Sequence, residues 1–256
     1  MTGSDSWWLL APLSAGLLIT LSLVPLGHRV LARGMVFADL AIAQWAALGS
    51  LAGVMVMPQY RLTGLPVSSL LFALLAVAVV HLILRWVPAF REAMIGLLYV
   101  VGASLATLLV SQDPHGAQLL AQTLSGDLLW VTPAALLPLM AIAVAVIIWQ
   151  WAIPSRWQGR VFLVLFSVAI TLSVEVAGVY VVFATLIAAP LMVIHLGGRS
   201  IPLAAAVALT GQGAGLLASA TFDLPAGPSV VLALVLTGFL ALGTIRINRW
   251  AQRRVS

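Results

Sequence analysis

The feature that most constrains this chain is a succession of long apolar runs separated by short polar segments. An α-helix needs roughly 20 consecutive apolar residues to cross the hydrocarbon core of a bilayer, and most of the runs reach that length. Only 7% of the residues are charged, whereas an ordinary soluble domain carries about 25%. The pattern predicts an all-α, polytopic integral membrane protein in which residues 1–256 form a single domain. The apolar runs span residues 8–26, 36–57, 67–87, 93–110, 128–151, 161–196, 202–220 and 228–247.

The basic residues indicate how the chain is oriented in the membrane. All 12 are Arg, and loops on the cytoplasmic side of a membrane carry an excess of basic residues. If the Arg-bearing loops are cytoplasmic, only Arg61 falls outside, together with Asp5, Asp113, Asp127 and Asp223. We therefore expect the amino terminus outside and the carboxyl terminus in the cytoplasm.

The same distribution constrains the path of the longest apolar run, residues 161–196. Arg160 and Arg199 flank this run and must lie on the same side, so the chain has to cross the membrane and return. The turn is expected near Glu175 to Gly178, which gives about nine transmembrane helices. The alternative is eight, with one long tilted helix here, and it would put the Arg clusters on opposite sides.

The composition excludes several enzymatic mechanisms. The chain has no Lys, so it cannot bind nucleotide phosphates through a P-loop or form a Schiff base. It has no Cys, which excludes disulfides and thiolate sites. No metalloprotease, hydrolase or dinucleotide-binding motif is present in the sequence. Membrane topology explains the basic pI, so no nucleic-acid partner is expected, and a transport subunit is favoured over an enzyme.

Two polar side chains in the second run are candidates for an ion path. Asp39 lies one turn into the run and Gln44 follows it, about 140° away around a helix. A carboxylate and an amide oxygen are hard ligands suited to a divalent cation, and ionisable residues inside a membrane are costly and mostly functional. In the alternative interpretation, Asp39 forms a salt bridge with Arg33 near the cytoplasmic interface.

Glu175 is the strongest single candidate, because nearly all its neighbours in the sequence are apolar. If the run turns here, Glu175 lies at an external pore mouth, and if the run is one helix, Glu175 lies near mid-membrane and faces water. The alternative is a solvated turn residue. Asp39, Gln44 and Glu175 are accordingly predicted as residues of the translocation path or gate and as transient metal ligands.

Three further ionisable residues, His81, Glu92 and His195, are secondary candidates for the path. A lone His on an apolar face, such as His81, is more often packed and hydrogen-bonded than functional. His195 suits the C-terminus of a helix, and Glu92 suits the N-terminus of one. Each residue therefore has a structural explanation beside the functional one.

Small residues and one proline predict how the helices pack. Gly49 and Gly53, and likewise Gly211 and Gly215, have the four-residue spacing that lets membrane helices approach closely. Pro190 predicts a broken or kinked helix downstream of Glu175, an element suited to lining a cavity.

Four segments of the chain together form a recognisable pattern. They are residues 25–30 (PLGHRV) and 33–39 (RGMVFAD) with Gln44 and Gly49, residues 125–133 (SGDLLWVTP), a Gly-to-Pro segment at residues 176–190, and residues 223–231 (DLPAGPSVV). With these segments the chain resembles the permease subunits of bacterial ABC importers for zinc and manganese. The resemblance covers nearly the whole chain, and the segment that opens the last span is fairly specific.

This resemblance implies an assembly of the ABC importer permease type. Two copies would form the translocation path, a separate cytoplasmic ATPase subunit would use ATP, and an extracytoplasmic metal-binding protein would deliver the ion. The substrate would be a divalent metal ion (zinc, manganese or iron), with no permanently bound cofactor, and the location would be the bacterial cytoplasmic (inner) membrane. The candidates for ATPase docking are Arg156, Arg160, Gly197, Gly198 and Arg199.

Two departures from the family pattern affect these expectations. Gln44 occupies the position of a family His, which weakens the case for zinc relative to a harder ion. The loop at residues 152–159 is shorter than the family loop that engages the ATPase. Either the ATPase docks mainly elsewhere, with residues 197–200 as the candidate, or the coupling to the ATPase has diverged. Two other functions stay open: an autonomous channel or secondary carrier without an ATPase, and a non-transporting scaffold or intramembrane enzyme.

Overall fold

The computed structural model describes residues 9–32, 37–56, 67–86, 90–111, 113–152, 155–194 and 200–255, without the side chains of residues 56, 155–158, 160 and 246–255. Every regular element in these ranges is helical, so the all-α prediction is confirmed. A 3-10 turn, Leu128–Trp130, precedes α6, and a π-helical segment, Ala184–Ala188, joins α7 to α8. The helices are α1 Leu10–Ala32, α2 Ala38–Val56, α3 Val67–Trp86, α4 Arg91–Val110, α5 Gly116–Ser125, α6 Pro133–Ala152, α7 Ser155–Phe183, α8 Ala189–Val193, α9 Ser200–Phe222 and α10 Ala226–Val255.

The outer faces of the bundle are those of a membrane protein. In the described part of the chain, eight helices are long and apolar enough to cross a bilayer. Their outward faces are rich in large apolar side chains, such as Leu97, Val100 and Leu108 on α4. A soluble monomer rarely exposes such continuous apolar surface. The predicted multi-pass membrane architecture is confirmed.

The helices pack around α1 and α2. Helix α2 contacts α3, α4 and α7, whereas α1 contacts α6, α9 and the π-helical segment. The small-residue patterns lie at close helix contacts, as predicted: Gly49 faces the backbone of Ser69 in α3, and Gly215 faces the backbone of Val230 in α10. A side chain at either glycine would push the two helices apart.

Helix α1 continues beyond the apolar run that predicted it, because its last polar residues have partners. The Cζ atom of Arg29 lies 4.3 Å from the ring centroid of Trp149 in α6, a cation–π contact. The Trp149 ring packs in turn on Phe162 of α7, with centroids 5.9 Å apart. At the residue before Arg29, Nε2 of His28 lies 2.6 Å from Oγ of Ser200 at the start of α9.

The long apolar run turns back on itself at Gly178. This residue interrupts α7 with non-helical φ and ψ of 75° and 166°. As one continuous helix, Phe162 and Leu186 would lie about 36 Å apart. Instead, Leu186 lies against Gly27 of α1, and Phe162 packs on the Trp149 ring that Arg29 covers. Because Gly27 and Arg29 are neighbours on α1, Phe162 and Leu186 lie at the same end of the bundle.

The turn therefore lies at Gly178, the last residue of the interval (Glu175 to Gly178) in which the sequence predicts it. The returning arm, residues 179–193, is shorter than the roughly 20 residues of a regular span. By length and composition, the whole stretch Val161–Val193 counts as one of the eight candidate spans. The count of nine transmembrane helices accordingly stays a prediction.

Pro190 accounts for the irregular helix in the returning arm. Proline has no N–H, so the carbonyl of Leu186, four residues earlier, loses its α-helical donor. The chain adopts π-helical geometry over Ala184–Ala188, immediately before Pro190. The Leu186 carbonyl packs so closely on Gly27 that a Cβ there would overlap it. The helix break predicted at Pro190 is thus present as a π-helical segment against α1.

Candidate functional site

The two ends of the helix bundle carry different charges. At one end α1 finishes near Arg29, α3 finishes near Arg85, and α4 begins at Arg91; we call this the Arg29 end. At the opposite end lie Asp127, after α5, and Asp223, between α9 and α10; we call this the Asp127 end. The candidate residues are distributed between these two ends.

Asp39 lies at the Arg29 end, in the first turn of α2. It is only 1% exposed, and no described side chain hydrogen-bonds to its carboxylate oxygens, although the backbone N–H groups of Asp39 and Leu40 lie near them. Both carboxylate oxygens of Glu92, in the first turn of α4, are also buried without a described partner. The Glu92 carboxylate is close enough to act electrostatically on Asp39. Arg33, the alternative salt-bridge partner of Asp39, lies outside the described residues.

Gln44 lies farther along α2 and is 2% exposed. Its Cγ faces Gly102 of α4, and the neighbouring Trp45 donates a hydrogen bond from Nε1 to the carbonyl of Leu98 at 3.0 Å. Gln44 therefore lies on the side of α2 that packs against α4. Asp39 and Gln44 are both buried on one helix, as predicted, but they do not form a common ligand set with Glu175.

Glu175 lies at the Asp127 end, less than one turn before Gly178, and its side chain is exposed. An ionised carboxylate facing lipid is costly, so this surface of α7 must face water or another protein surface. Within the described residues, no group of three or more His, Cys, Asp or Glu side chains could hold a metal ion. Asp39 and Glu175 are thus separate positions at opposite ends of the bundle rather than one site.

The backbone at the Asp127 end is held together by a glycine junction, which we define as Gly126, Gly178 and Gly227. A Cβ on Gly178 would overlap the backbone at Gly126, and one on Gly126 would overlap the carbonyl of Ala177. A Cβ on Gly227, at the start of α10, would overlap the carbonyl of Ser125. Three of the segments that resemble the permease family therefore meet at one point of the fold.

Asp127 lies next to this junction, in the turn between α5 and the 3-10 turn. Partial burial removes water from its carboxylate and raises its pKa above the ordinary value of 3.8. Its carboxylate accepts no capping hydrogen bond from the backbone N–H groups of the following turn. Burial therefore favours the neutral form of this carboxyl at the same end of the bundle as Glu175.

The secondary candidates are not brought into one site. His81 is exposed on α3, one turn before Arg85, whereas Glu92 acts electrostatically on Asp39. His195, Gly197, Gly198 and Arg199 lie outside the described residues. Arg156 and Arg160 belong to the first turns of α7, but their side chains are outside the described set.

Other buried polar groups were not singled out from the sequence. Gln212 of α9, 2% exposed, donates a hydrogen bond from Nε2 to Oγ1 of Thr185 in the π-helical segment at 3.0 Å. Ser167 and Thr171, on the buried side of α7, have no hydrogen-bond partner among the described residues. Ser and Thr are common in apolar runs, so the sequence does not distinguish these two hydroxyls from others. What distinguishes them is the lack of a described hydrogen-bond partner, which is visible only in the structure.

Comparison with known proteins identifies the fold. No protein-family model matches the chain, and no curated protein matches its sequence. PsaBC from Streptococcus pneumoniae, in complex with a Fab, superposes with a TM-score of 0.74 at 17% identity, over 92% of this chain and 91% of that chain. A protein described as a metal-chelate type ABC transporter, in an inward-facing conformation, gives a TM-score of 0.67 at 16% identity, over 93% of this chain and 85% of that chain.

The chain has the fold of an ABC transporter membrane subunit. Both matches extend over most of each chain, so the likeness concerns the whole helix bundle rather than one segment. The permease fold that the sequence resemblance implied is confirmed.

Proposed function

We propose that the chain is the membrane-spanning permease subunit of an ATP-driven importer for divalent metal ions. The observation that carries this proposal is the fold match, which extends over 92% of the chain to PsaBC and over 93% to the metal-chelate type transporter. The family segments in the sequence support it independently, because they meet at the glycine junction of the fold. The chain contains no Lys, so ATP is hydrolysed by a separate cytoplasmic subunit.

In the proposed assembly, the Arg29 end faces the cytoplasm of a bacterial inner membrane. The amino terminus is outside and the carboxyl terminus inside, in accord with the excess of basic residues on cytoplasmic loops. The ATPase docks at the Arg29 end, with Arg156, Arg160 and residues 197–199 as candidates. An extracytoplasmic metal-binding protein delivers the ion at the Asp127 end.

A second copy of the chain completes the translocation path. The exposed Glu175 supports this proposal, because a carboxylate in an apolar helix is stabilised when it faces water or a partner rather than lipid. Two copies with Glu175 facing the path would supply carboxylates at the outer entrance, and Asp39 would act at the inner end. Gln44 would add an amide oxygen between the outer entrance and the inner end. The path would then offer hard oxygen ligands for manganese, iron or zinc.

Uptake by the assembled transporter tests the proposal. The permease and its ATPase would be reconstituted in vesicles, and uptake of zinc, manganese and iron would be measured with ATP and with a non-hydrolysable analogue. We expect ATP-dependent accumulation of at least one of these ions. Accumulation without ATP or ATPase would instead favour a channel or secondary carrier, and no metal dependence would remove the proposal.

Isosteric variants test the residues of the path. Asp39→Asn and Glu175→Gln keep the shape of each side chain and remove its charge, and we expect each to lower uptake about tenfold or more. Asp113→Asn, a charge removal in the loop before α5, is the matched control and should leave uptake near the wild-type level. Wild-type uptake in both Asp39→Asn and Glu175→Gln would exclude these residues from the path.

A further inference from the structure

Hydroxyl groups inside helices usually have a local partner. A Ser or Thr side chain donates a hydrogen bond to the carbonyl three or four residues earlier in the same helix. Nine helical hydroxyls in the described part of this chain do so. The donors are Ser22, Thr107, Thr123, Ser125, Thr210, Thr221, Ser229, Thr237 and Thr244.

Three hydroxyls of α7 depart from this pattern. Ser167, Thr171 and Ser173 are 0%, 1% and 0% exposed, and their oxygens have no hydrogen-bond partner among the described residues. Each side chain therefore points away from the helix backbone that could accept its proton. A buried hydroxyl without a partner destabilises a fold, so these groups require an explanation.

Two of the three hydroxyls line up with Glu175. Residues 167, 171 and 175 are four apart, and each step turns the helix about 40° beyond a full turn, so they form one strip about 12 Å long. Glu175 is the exposed end of this strip, at the Asp127 end of the bundle. Ser173 lies about 200° away from Thr171, on the opposite side of α7.

The helix with the most extensive contact to α7 supplies small apolar side chains to the shared core. Helix α7 packs more extensively on α2 than on any other described helix. The α2 residues in the shared core cluster include Ala43, Ala46 and Ala47, whose side chains are small and cannot form hydrogen bonds.

We propose that Ser167, Thr171 and Glu175 form a polar ladder on α7 that lines the route of the hydrated ion through the outer half of the membrane. The identity of the ion rests on the proposed function. In this conformation the two hydroxyls are enclosed, and they become hydrated when the helices packed on this side of α7 separate. Neutral hydroxyls suit such a route, because they replace part of the water shell of a cation without holding the ion tightly.

Thiol labelling tests whether the ladder contacts water. Because the chain has no Cys, the single substitutions S167C, T171C and S173C need no change of background. Each variant would be assembled with the ATPase, and modification by a membrane-impermeant methanethiosulfonate would be timed during ATP turnover. We expect positions 167 and 171 to react about tenfold faster than position 173, since a thiol must be accessible to react.

Added manganese ion should slow labelling at positions 167 and 171 and leave position 173 unchanged. Equal labelling rates at the three positions would overturn the ladder. This readout does not require that a metal ion is transported. Fast labelling at 167 and 171 without metal uptake would therefore refute the proposed function alone, and metal uptake with equal labelling would refute the ladder alone.

Apolar substitutions separate a path role from a structural one. Thr171→Val keeps the shape of the side chain and removes a buried, unpartnered hydroxyl, so the fold should not lose stability. If the hydroxyl were only structural, thermal stability would rise and uptake would stay unchanged. If it lines the path, uptake falls about tenfold while thermal stability is maintained.

The matched control is Ser173→Ala, which removes an equally buried, unpartnered hydroxyl from the other side of α7. It should leave uptake at the wild-type level. Wild-type uptake in both Thr171→Val and Ser167→Ala would contradict the proposal, as would an equal loss of uptake in Ser173→Ala.

Discussion

The backbone of Gly178 lies directly against the backbone of Gly126, and neither position has room for a Cβ. Both residues also have positive φ, 75° and 68° respectively, which L-residues with a side chain rarely adopt. This contact fixes the point at which the long apolar stretch reverses direction. It also places Glu175 and Asp127 at the same end of the bundle.

The glycine junction should therefore tolerate no side chain. Gly178→Ala combines a positive φ with overlap of a neighbouring backbone, and we expect it to destabilise the fold by about 3 kcal/mol or more. Thermal unfolding of the purified protein in detergent measures this loss. The control is Gly213→Ala in α9, where nothing lies within 4 Å of the added Cβ, so stability should stay equal or rise by about 0.5–1 kcal/mol. Equal unfolding temperatures for the two variants would contradict the role of the junction.

The stability of the fold should depend on the ionisation of Asp127. Because burial raises the pKa of its carboxyl in the folded state, the folded protein binds this proton more tightly than the unfolded chain. Stability contributed by the group is present at acidic pH and is lost as the pH rises through the raised pKa. Asp127→Asn should therefore unfold at a higher temperature than wild type at neutral pH, with the difference disappearing in acid.

Asp113→Asn serves as the control for this pH dependence. The Asp113 side chain accepts a hydrogen bond from the backbone N–H of His115 at 2.7 Å, and an Asn oxygen can accept the same bond. The pH dependence of its unfolding temperature should follow that of wild type. A pH dependence for Asp127→Asn identical to wild type would show that this carboxyl is not responsible.

Reporter fusions decide between eight and nine transmembrane helices. In the nine-helix arrangement, reporters fused after Arg160 and after Arg199 report the same side of the membrane, because the chain crosses and returns at Gly178. A third fusion after Asp223 reports the side opposite to the Arg199 fusion in either arrangement and serves as the control. Opposite sides for Arg160 and Arg199 would establish the eight-helix alternative.

Replacement of Gln44 should change the selectivity for metal ions. Gln44→His introduces an imidazole, a ligand better suited to zinc than an amide oxygen. We expect the ratio of zinc uptake to manganese uptake to rise about tenfold in a competition assay. Gln44→Asn, which keeps an amide without an imidazole, should leave the ratio near that of wild type. An unchanged ratio in Gln44→His would place residue 44 outside the path.

Most of the fold follows from the sequence, because lipid requires long apolar segments. The limits of the helices differ from the apolar runs where tertiary contacts stabilise polar residues. Helix α1 is the clearest case: a hydropathy pattern treats Arg29 as a loop residue, whereas the guanidinium lies on the Trp149 ring and the helix continues to Ala32. The turn at Gly178 was predicted from the sequence on the premise that Arg160 and Arg199 share one side of the membrane.

The candidate site was less predictable, since it depends on how helices pair. The sequence indicates that Asp39 and Glu175 are costly in a membrane, but it does not show that they lie at opposite ends of the bundle. The proximity of Glu92 to Asp39 arises from the side-by-side packing of α2 and α4, which no local pattern encodes. The unpartnered hydroxyls of Ser167 and Thr171 depend on side-chain rotamers, which the sequence does not specify.

The glycine junction also has a consequence for evolutionary divergence. Helix surfaces that face lipid can exchange one apolar residue for another freely, so two chains can share this fold at an identity as low as 17%. At Gly126, Gly178 and Gly227 no such exchange is available, because the space is occupied by backbone. Among homologues that retain this fold, these three positions should therefore be the slowest to change.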